Sequence, residues 1–122
     1  MNIDEYTRLI NKTEDYIEIN LDKRINLVDI ASHVGFSEYH FHRIFSKYSH
    51  ETLKQFITRI KMERSAVYLV IDTEISMTEI AFKYGYSSSS SYNKAFKKHY
   101  GISPTAFRKE QEWKRKTKKP DL

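Results

Sequence analysis

Two copies of one short pattern lie along this chain, and that internal repeat constrains the fold more than any other feature. Ile30-Ala31 is followed by Gly35-Phe36-Ser37, and Ile80-Ala81 by Gly85-Tyr86-Ser87, at an offset of 50 residues. Beyond the second turn the offset becomes 51: Phe41 answers Tyr92, Arg43 answers Lys94, Phe45 answers Phe96 and Phe56 answers Phe107. The change places one extra residue early in the second copy's helix. A repeat with two members is not a solenoid, so the chain reads as one supersecondary unit used twice. Only three Gly and two Pro interrupt its 122 residues, and strand-like alternation is hard to find. An all-α chain with a few deliberate breaks is expected.

The breaks delimit the helices. Tyr6, Leu9, Ile10, Thr13, Tyr16, Ile17 and Leu21 recur at helical spacing and predict an amphipathic helix over about 4–20. Asn26 is a helix N-cap, with Asp29 three residues on, ahead of Leu27, Ile30, Ala31 and Val34. Gly35 stops that helix, because glycine tolerates the left-handed backbone of a tight turn. Ser37 caps the next, whose inward face is Phe41, Ile44, Phe45 and Tyr48. Thr52 opens a long helix to about Asp72, with Phe56, Ile60, Met62, Ala66, Leu69 and Val70 apolar. Ser76 with Glu79 forms a capping box, and Ser103-Pro104 opens a short last helix over about 105–112. The expected layout is a first helix and first helix-turn-helix over 1–51, a linker helix over 52–72, a second helix-turn-helix over 73–112 and a basic tail over 113–122. Small residues belong where the paired helices cross and glycine at the turn, which assigns Ala31 and Ala81 to the crossings and Gly35 and Gly85 to the turns.

Charge narrows the function. Lys+Arg number 21 against 16 Asp+Glu, a formal charge of +5 and a pI near 9.3, which suits an acidic partner. The charge is uneven: residues 1–26 carry four basic and six acidic side chains, whereas residues 93–122 carry ten and three. With no Cys there is no disulfide frame, thiolate metal site or thiol nucleophile. The polar start offers no secretory h-region, and no apolar run is long enough to span a bilayer. A cytoplasmic protein with no membrane partner is the expectation. His40 and His42 lie two apart with His33 nearby, but on a helix the two rings face different sides and no carboxylates complete a metal site. No nucleophile–base pair or phosphate loop is present, so no enzyme and no cofactor is expected.

The second copy, with Ile80-Ala81, Gly85-Tyr86-Ser87, Tyr92, Phe96-Lys97-Lys98, Gly101 and Ser103-Pro104, resembles the AraC/XylS family of DNA-binding domains over about residues 5–110. The first copy, with Ser37 and Tyr39-His40-Phe41-His42-Arg43-Ile44-Phe45, resembles its MarA/SoxS/Rob branch and regulators whose effector domain follows the DNA-binding unit. The resemblance implies an all-α, seven-helix bilobal domain with two helix-turn-helix units joined by a long linker helix. It also implies a transcription regulator, activator or repressor, that binds double-stranded DNA as a monomer and acts on RNA polymerase. His50 stands where the family usually has Gly, and Leu53 where it usually has Pro. A linker helix of about 20 residues is about 30 Å long, close to the spacing of about 34 Å between successive major-groove faces.

Helical periodicity then picks out the DNA-facing side chains. With Phe41 and Phe45 inward, Tyr39, His42, Arg43 and Ser46 remain outward. Arg43 suits a guanine edge, His42 an acceptor, and Tyr39 a thymine methyl or a phosphate. With Tyr92 and Phe96 inward, Ser89, Ser90, Asn93 and Lys94 remain outward, and Lys97 and Lys98 suit phosphates. Other readings stand beside these. Arg43 and Lys94 are alternatively solvated charges, and Glu38 either reads a base or complements the helix dipole. Ser87–Ser91 is a helix start or a flexible loop, and Tyr84, Tyr86, Tyr100 and Phe107 are core packing or a single-strand stacking platform. The tail WKRKTKKP is a nonspecific DNA arm, a linker to a further domain or a solubilising end. The competing function is a helical protein-interaction module without direct DNA reading.

Overall fold

A computed structural model describes residues 3–117, and all its regular structure is helical. The helices are α1 (Ile3–Ile19), α2 (Leu27–Val34), α3 (Glu38–Tyr48), α4 (Leu53–Ile71), α5 (Met77–Lys83), α6 (Ser89–Tyr100) and α7 (Pro104–Thr117). Their starts are set by side-chain caps that satisfy otherwise orphaned amides. Asn26 Oδ1 accepts from the Asp29 amide at 3.0 Å, and Ser76 Oγ from Glu79 at 3.0 Å. Thr52 Oγ1 accepts from the Gln55 amide at 3.1 Å while Gln55 Oε1 accepts from the Thr52 amide at 2.9 Å, a reciprocal capping box. Ser103 Oγ accepts from Ala106 at 3.1 Å, ahead of Pro104 at the first helical position.

One boundary differs from expectation. Helix α7 runs on to Thr117, past the stop expected near Glu112. Lys114 pairs with Glu110 at 3.0 Å across one turn, and Lys114, Arg115 and Lys116 in the last turn complement the negative end of the helix. Trp113 through Thr117 are therefore helical, and the remainder of the proposed tail, Lys118–Leu122, lies outside the described residues.

The chain divides into two compact units, residues 1–61 and 62–122, and the division falls within α4. In the first, α1, α2 and α3 pack on one another around Leu9, Ile17, Ile30, Ala31, Phe41, Ile44 and Phe45, with Phe56 and Ile60 of α4 completing the cluster. In the second, the buried residues include Met62, Leu69, Ile80, Ala81, Tyr92 and Phe96. The repeat thus reaches further than its two short motifs. At an offset of 52 residues, Thr13, Tyr16 and Ile17 of α1 correspond to Ser65, Tyr68 and Leu69 of α4. Thr13 and Ser65 are both buried polar residues, and Ile17 and Leu69 are both fully buried. Tyr16 packs on His33 with ring centroids 5.1 Å apart, and Tyr68 lies 4.7 Å beneath the ammonium of Lys83, the residue 50 after His33. The later half of α4 does for the second unit what α1 does for the first.

Buried hydroxyls are satisfied in both units. Thr13 donates to the Leu9 carbonyl at 2.7 Å, and Ser65 to the Met62 carbonyl at 2.9 Å. Tyr92 replaces the Phe41 of the first copy, so its hydroxyl needs a partner, and it donates to Ser65 Oγ at 3.0 Å. Arg108 of α7 donates to the carbonyls of Leu69, Asp72 and Ile75 at 3.2, 3.2 and 2.9 Å, closing the C-terminal end of α4 with a cation.

Removing Ser65 alone is predicted to hurt more than removing both members of the Tyr92–Ser65 pair. Ser65→Ala strands a buried hydroxyl and should cost about 1–3 kcal/mol, whereas Tyr92→Phe should cost about 0.5–1.5 kcal/mol. Urea unfolding of both single variants and the double variant measures this, and additive losses would refute it. Burial also pushes the Tyr92 hydroxyl above its ordinary 10.0. The unfolded chain ionises first, so that share of stability is present below about pH 10 and lost above it. Tyr92→Phe should make the alkaline decline shallower.

Candidate nucleic-acid interface

Each candidate recognition helix is aimed by the turn before it. Gly35 and Gly85 adopt φ of 86° and 83°, the left-handed region that favours glycine. That geometry lets the Phe36 amide donate to the Ala31 carbonyl at 2.9 Å and the Tyr86 amide to the Ala81 carbonyl at 2.9 Å, the same bond in both copies. Ala31 and Ala81 are 1% and 0% exposed, as residues at a close helix crossing must be. Ser37 then caps α3, accepting from the His40 amide at 3.1 Å.

The second copy departs at this point. Ser88, and not Ser87, caps α6, accepting from the Ser91 amide at 3.1 Å. The extra residue of the second copy therefore lengthens the turn instead of sitting within the helix. Its physical cause is the run of five serines, which offers several possible caps and lets packing of Tyr92 and Phe96 choose among them. Of that run, Ser89–Ser91 are helical.

Both helices present a polar face opposite an aromatic one. On α3, Phe41, Ile44 and Phe45 are buried, while Tyr39, His42, Arg43 and Ser46 are exposed, Tyr39 at 76%. On α6, Tyr92 and Phe96 are buried, and Ser90, Lys94, Lys97 and Lys98 are exposed. Ser89 and Asn93 are half-buried, so they present less of themselves than the other eight. Among the described residues, Arg43, Lys94, Lys97 and Lys98 form no ion pair. Helix α6 contains no acidic residue, and α3 contains only Glu38, exposed in its first turn.

The offset of 51 exposes a residue that the periodicity reading missed. Ser90, Asn93, Lys94, Lys97 and Lys98 stand where Tyr39, His42, Arg43, Ser46 and Lys47 stand in the first copy. Lys47 is exposed in the last turn of α3, and its counterpart Lys98 was the signal that could have found it. His42 and Ser46 also share a cleft of about 480 Å³ with Leu27 at the start of α2 and Thr52 and Gln55 at the start of α4. Two helix N-termini, with their partly positive amides, flank the outward face of α3.

The remaining candidates resolve into packing. His40 Nε2 lies 3.0 Å from Glu5 Oε1 and its ring 4.6 Å from Phe36, so His40 ties α3 to α1. His33 packs on Tyr16, and among the described residues no three His, Cys, Asp or Glu converge to hold a metal. Tyr84 is buried; Phe107 lies 5.5 Å from Phe96 and 5.9 Å from Tyr100; Tyr86 lies 5.7 Å from Tyr92. Tyr86, Tyr100 and Phe107 pack on the second unit's own rings and Tyr84 is buried, so they do not form an open platform. Burial raises the hydroxyls of Tyr86 and Tyr100 as well, Glu63 adding to the effect at Tyr100. Where His50 replaces the expected glycine, no left-handed residue is used: α3 leaves through Ser49 in an extended conformation, whereas α6 ends on Gly101 at φ 82°.

Comparison with known proteins gives a consistent result. A family model for a helix-turn-helix domain matches residues 30–110. The Msm operon regulatory protein of Streptococcus mutans is 33% identical over 101 residues, 83% of this chain and 36% of that protein. The HTH-type transcriptional activator AarP of Providencia stuartii is 36% identical over 100 residues, 82% of this chain and 73% of that protein. The chain thus spans about a third of one relative and about three quarters of the other. Among solved structures, an AraC-type DNA-binding domain regulator from Chromobacterium violaceum superposes with a TM-score of 0.78 at 23% identity, covering 90% of this chain and 96% of that one. The DNA-binding domain of AdpA, solved in complex with a target DNA, superposes with a TM-score of 0.72 at 21% identity, covering 90% and 97%.

The displaced cap has a direct consequence. Ser88→Ala should cost about 1 kcal/mol of stability through loss of the α6 cap, whereas Ser87→Ala, in the exposed turn, should be close to neutral. Thermal unfolding of the two variants decides it; the reverse order would place the cap at Ser87.

Proposed function

The chain belongs to the AraC-type helix-turn-helix family, and on that premise we propose that it reads duplex DNA through α3 and α6 as part of a transcription regulator. The observation that carries this reading is the pair of matched outward faces. Each is polar and cationic, lacks internal counter-ions for its key cations, and is fixed from behind by two buried rings. Each helix so presented suits a major groove, and the proposal sets the two in successive grooves, the backbone phosphates attracting the lysines and the base edges taking the remainder.

Roles follow from chemistry. Arg43 matches the paired acceptors of guanine, His42 donates to a single acceptor, and the exposed ring of Tyr39 meets a thymine methyl or a phosphate. Ser46 makes a shorter contact beside them. On α6, Asn93 matches adenine to the extent that its partial burial allows, and Lys94 matches guanine. Ser89 and Ser90 permit close approach. Lys47, Lys97 and Lys98 hold phosphates, fixing register without choosing sequence. Because the two helices carry unlike side chains, the operator is an asymmetric pair of short elements bound by one monomer. Recruiting or obstructing RNA polymerase at that operator, in the cytoplasm and without catalysis, completes the proposal. No helix among the described residues is long and apolar enough to cross a membrane.

Selection from a random duplex library at one stated salt concentration tests the reading. Two unlike elements about one helical turn apart are expected. A single element would leave α6 as a backbone clamp, and no enrichment would favour docking on a protein instead. Within the selected site, Arg43→Ala should cost about 1–3 kcal/mol and relax selectivity at one base. Equal weakening on every sequence would reassign Arg43 to a phosphate. Replacing Lys47, Lys97 or Lys98 by Ala should weaken all sequences alike and lower the salt slope by about 0.9 per residue.

A further inference from the structure

The first unit carries an open groove of about 450 Å³ on which the DNA-reading face does not draw. Its walls include Tyr6 and Glu14 of α1, Tyr48 at the end of α3, Glu51 in the following turn, and Phe56 and Arg59 of α4. The Tyr6 and Tyr48 rings are 5.2 Å apart, and the size falls in the usual range for small-molecule sites. We propose that this groove binds a planar aromatic cation, with the Glu14 carboxylate as its counter-ion and the Tyr6, Tyr48 and Phe56 rings as its walls.

The groove already seats one such cation from the chain itself. The Arg59 guanidinium lies 5.2 Å from the Phe56 ring centroid and binds Glu51 through Nε at 3.1 Å and Nη2 at 2.7 Å. Ring and carboxylate together hold a flat positive group, the arrangement a ligand would repeat. Glu51 is matched by Arg59. Glu14 is not matched: it is half-buried in the groove, and among the described residues no side chain pairs with it. An anion would meet the uncompensated Glu14 carboxylate, and a neutral ring would leave Glu14 unpaired. A single positive charge on one or two flat rings satisfies both charge and shape.

Occupancy has a route to the DNA-reading face. Ser49, His50 and Glu51 line this groove and also the cleft that contains His42 and Ser46. A ligand held against Tyr48 and Glu51 would restrain the turn that both share, and linkage would then alter duplex affinity. This coupling rests on the DNA-binding reading; the binding site does not.

Calorimetric titration of the whole chain with benzamidinium, and with neutral benzamide of the same shape, tests the site at fixed ionic strength. Saturable one-to-one binding of benzamidinium is expected, at least tenfold weaker for benzamide and for the Glu14→Gln variant. A circular dichroism melt shows that this variant folds. Equal affinity for the two ligands, equal affinity of wild type and E14Q, or no saturable binding overturns the proposal. Benzamidinium at a concentration that just saturates the wild type should shift its duplex affinity at least threefold and that of E14Q by clearly less. Ligand binding without that shift removes the coupling alone, and failure of the chain to bind any duplex removes the DNA reading while the calorimetry still stands.

Discussion

Everything that the outward faces do depends on a bond made twice, from the amide after a turn glycine back to an alanine carbonyl five residues earlier. It exists only because Gly35 and Gly85 adopt a left-handed backbone. At Gly35 the demand is purely conformational, since an added Cβ would meet nothing within 4 Å. Strain, not crowding, excludes larger residues there. With the chain reversed in this way, Ala31 and Ala81 let the paired helices approach closely. The aromatic anchors behind α3 and α6 then have one rotation available, and the outward residues inherit it.

A two-helix hairpin cannot bury both its apolar faces alone, so each copy needs a third helix. In the first unit that helix is α1; in the second it is the later half of α4. The correspondence of Thr13 with Ser65 shows how closely the two are matched, because each buried hydroxyl is satisfied by a carbonyl of its own helix. Such bonds make a polar residue tolerable in a core without specifying much by themselves. Tyr92 changes that in the second unit. Its hydroxyl can be buried only over Ser65, which fixes the facing of α4 and α6 more sharply than the apolar contact of Phe41 fixes its own surroundings. Arg108 adds a second constraint on the same helix by closing three carbonyls at its end.

Helix existence, order and inward faces were legible in the sequence because they depend on local chemistry: caps at Asn26, Ser37, Thr52 and Ser103, glycines at the turns, and apolar spacing between. The contacts that escaped were those that local chemistry leaves degenerate or that link distant residues. Five consecutive serines have equal claims to be a cap, and only the packing of Tyr92 and Phe96 selects Ser88. The extent of α7 rests on Glu110–Lys114 pairing and its cationic last turn, which a search for buried residues overlooks. Lys47 escaped because an exposed lysine in a last helical turn is ordinarily a solvated charge, and only its match with Lys98 at the offset of 51 distinguishes it. His40 looked like part of a histidine cluster, but a carboxylate 35 residues earlier holds it.

The side chains at the two helix starts also separate what the helices can do. In the first copy the positions nearest the helix start carry Glu38 and Tyr39, whose bulk keeps the backbone of α3 at a distance from any partner. The corresponding positions of α6 carry Ser89 and Ser90, so an equivalent contact requires the helix itself to come closer. The charges differ too: α6 carries Lys94, Lys97 and Lys98 with no acidic residue, whereas on α3 Arg43 and Lys47 are offset by Glu38. Phosphate attraction is strong, indifferent to sequence and tolerant of geometry, whereas a guanine edge rewards one orientation of one arginine. On the proposed reading, α3 therefore supplies most of the selectivity and α6 most of the grip. A duplicated fold can diverge in this way because the residues that differ lie on the outward faces, leaving the glycine turn, the alanine crossing and the buried rings in both copies.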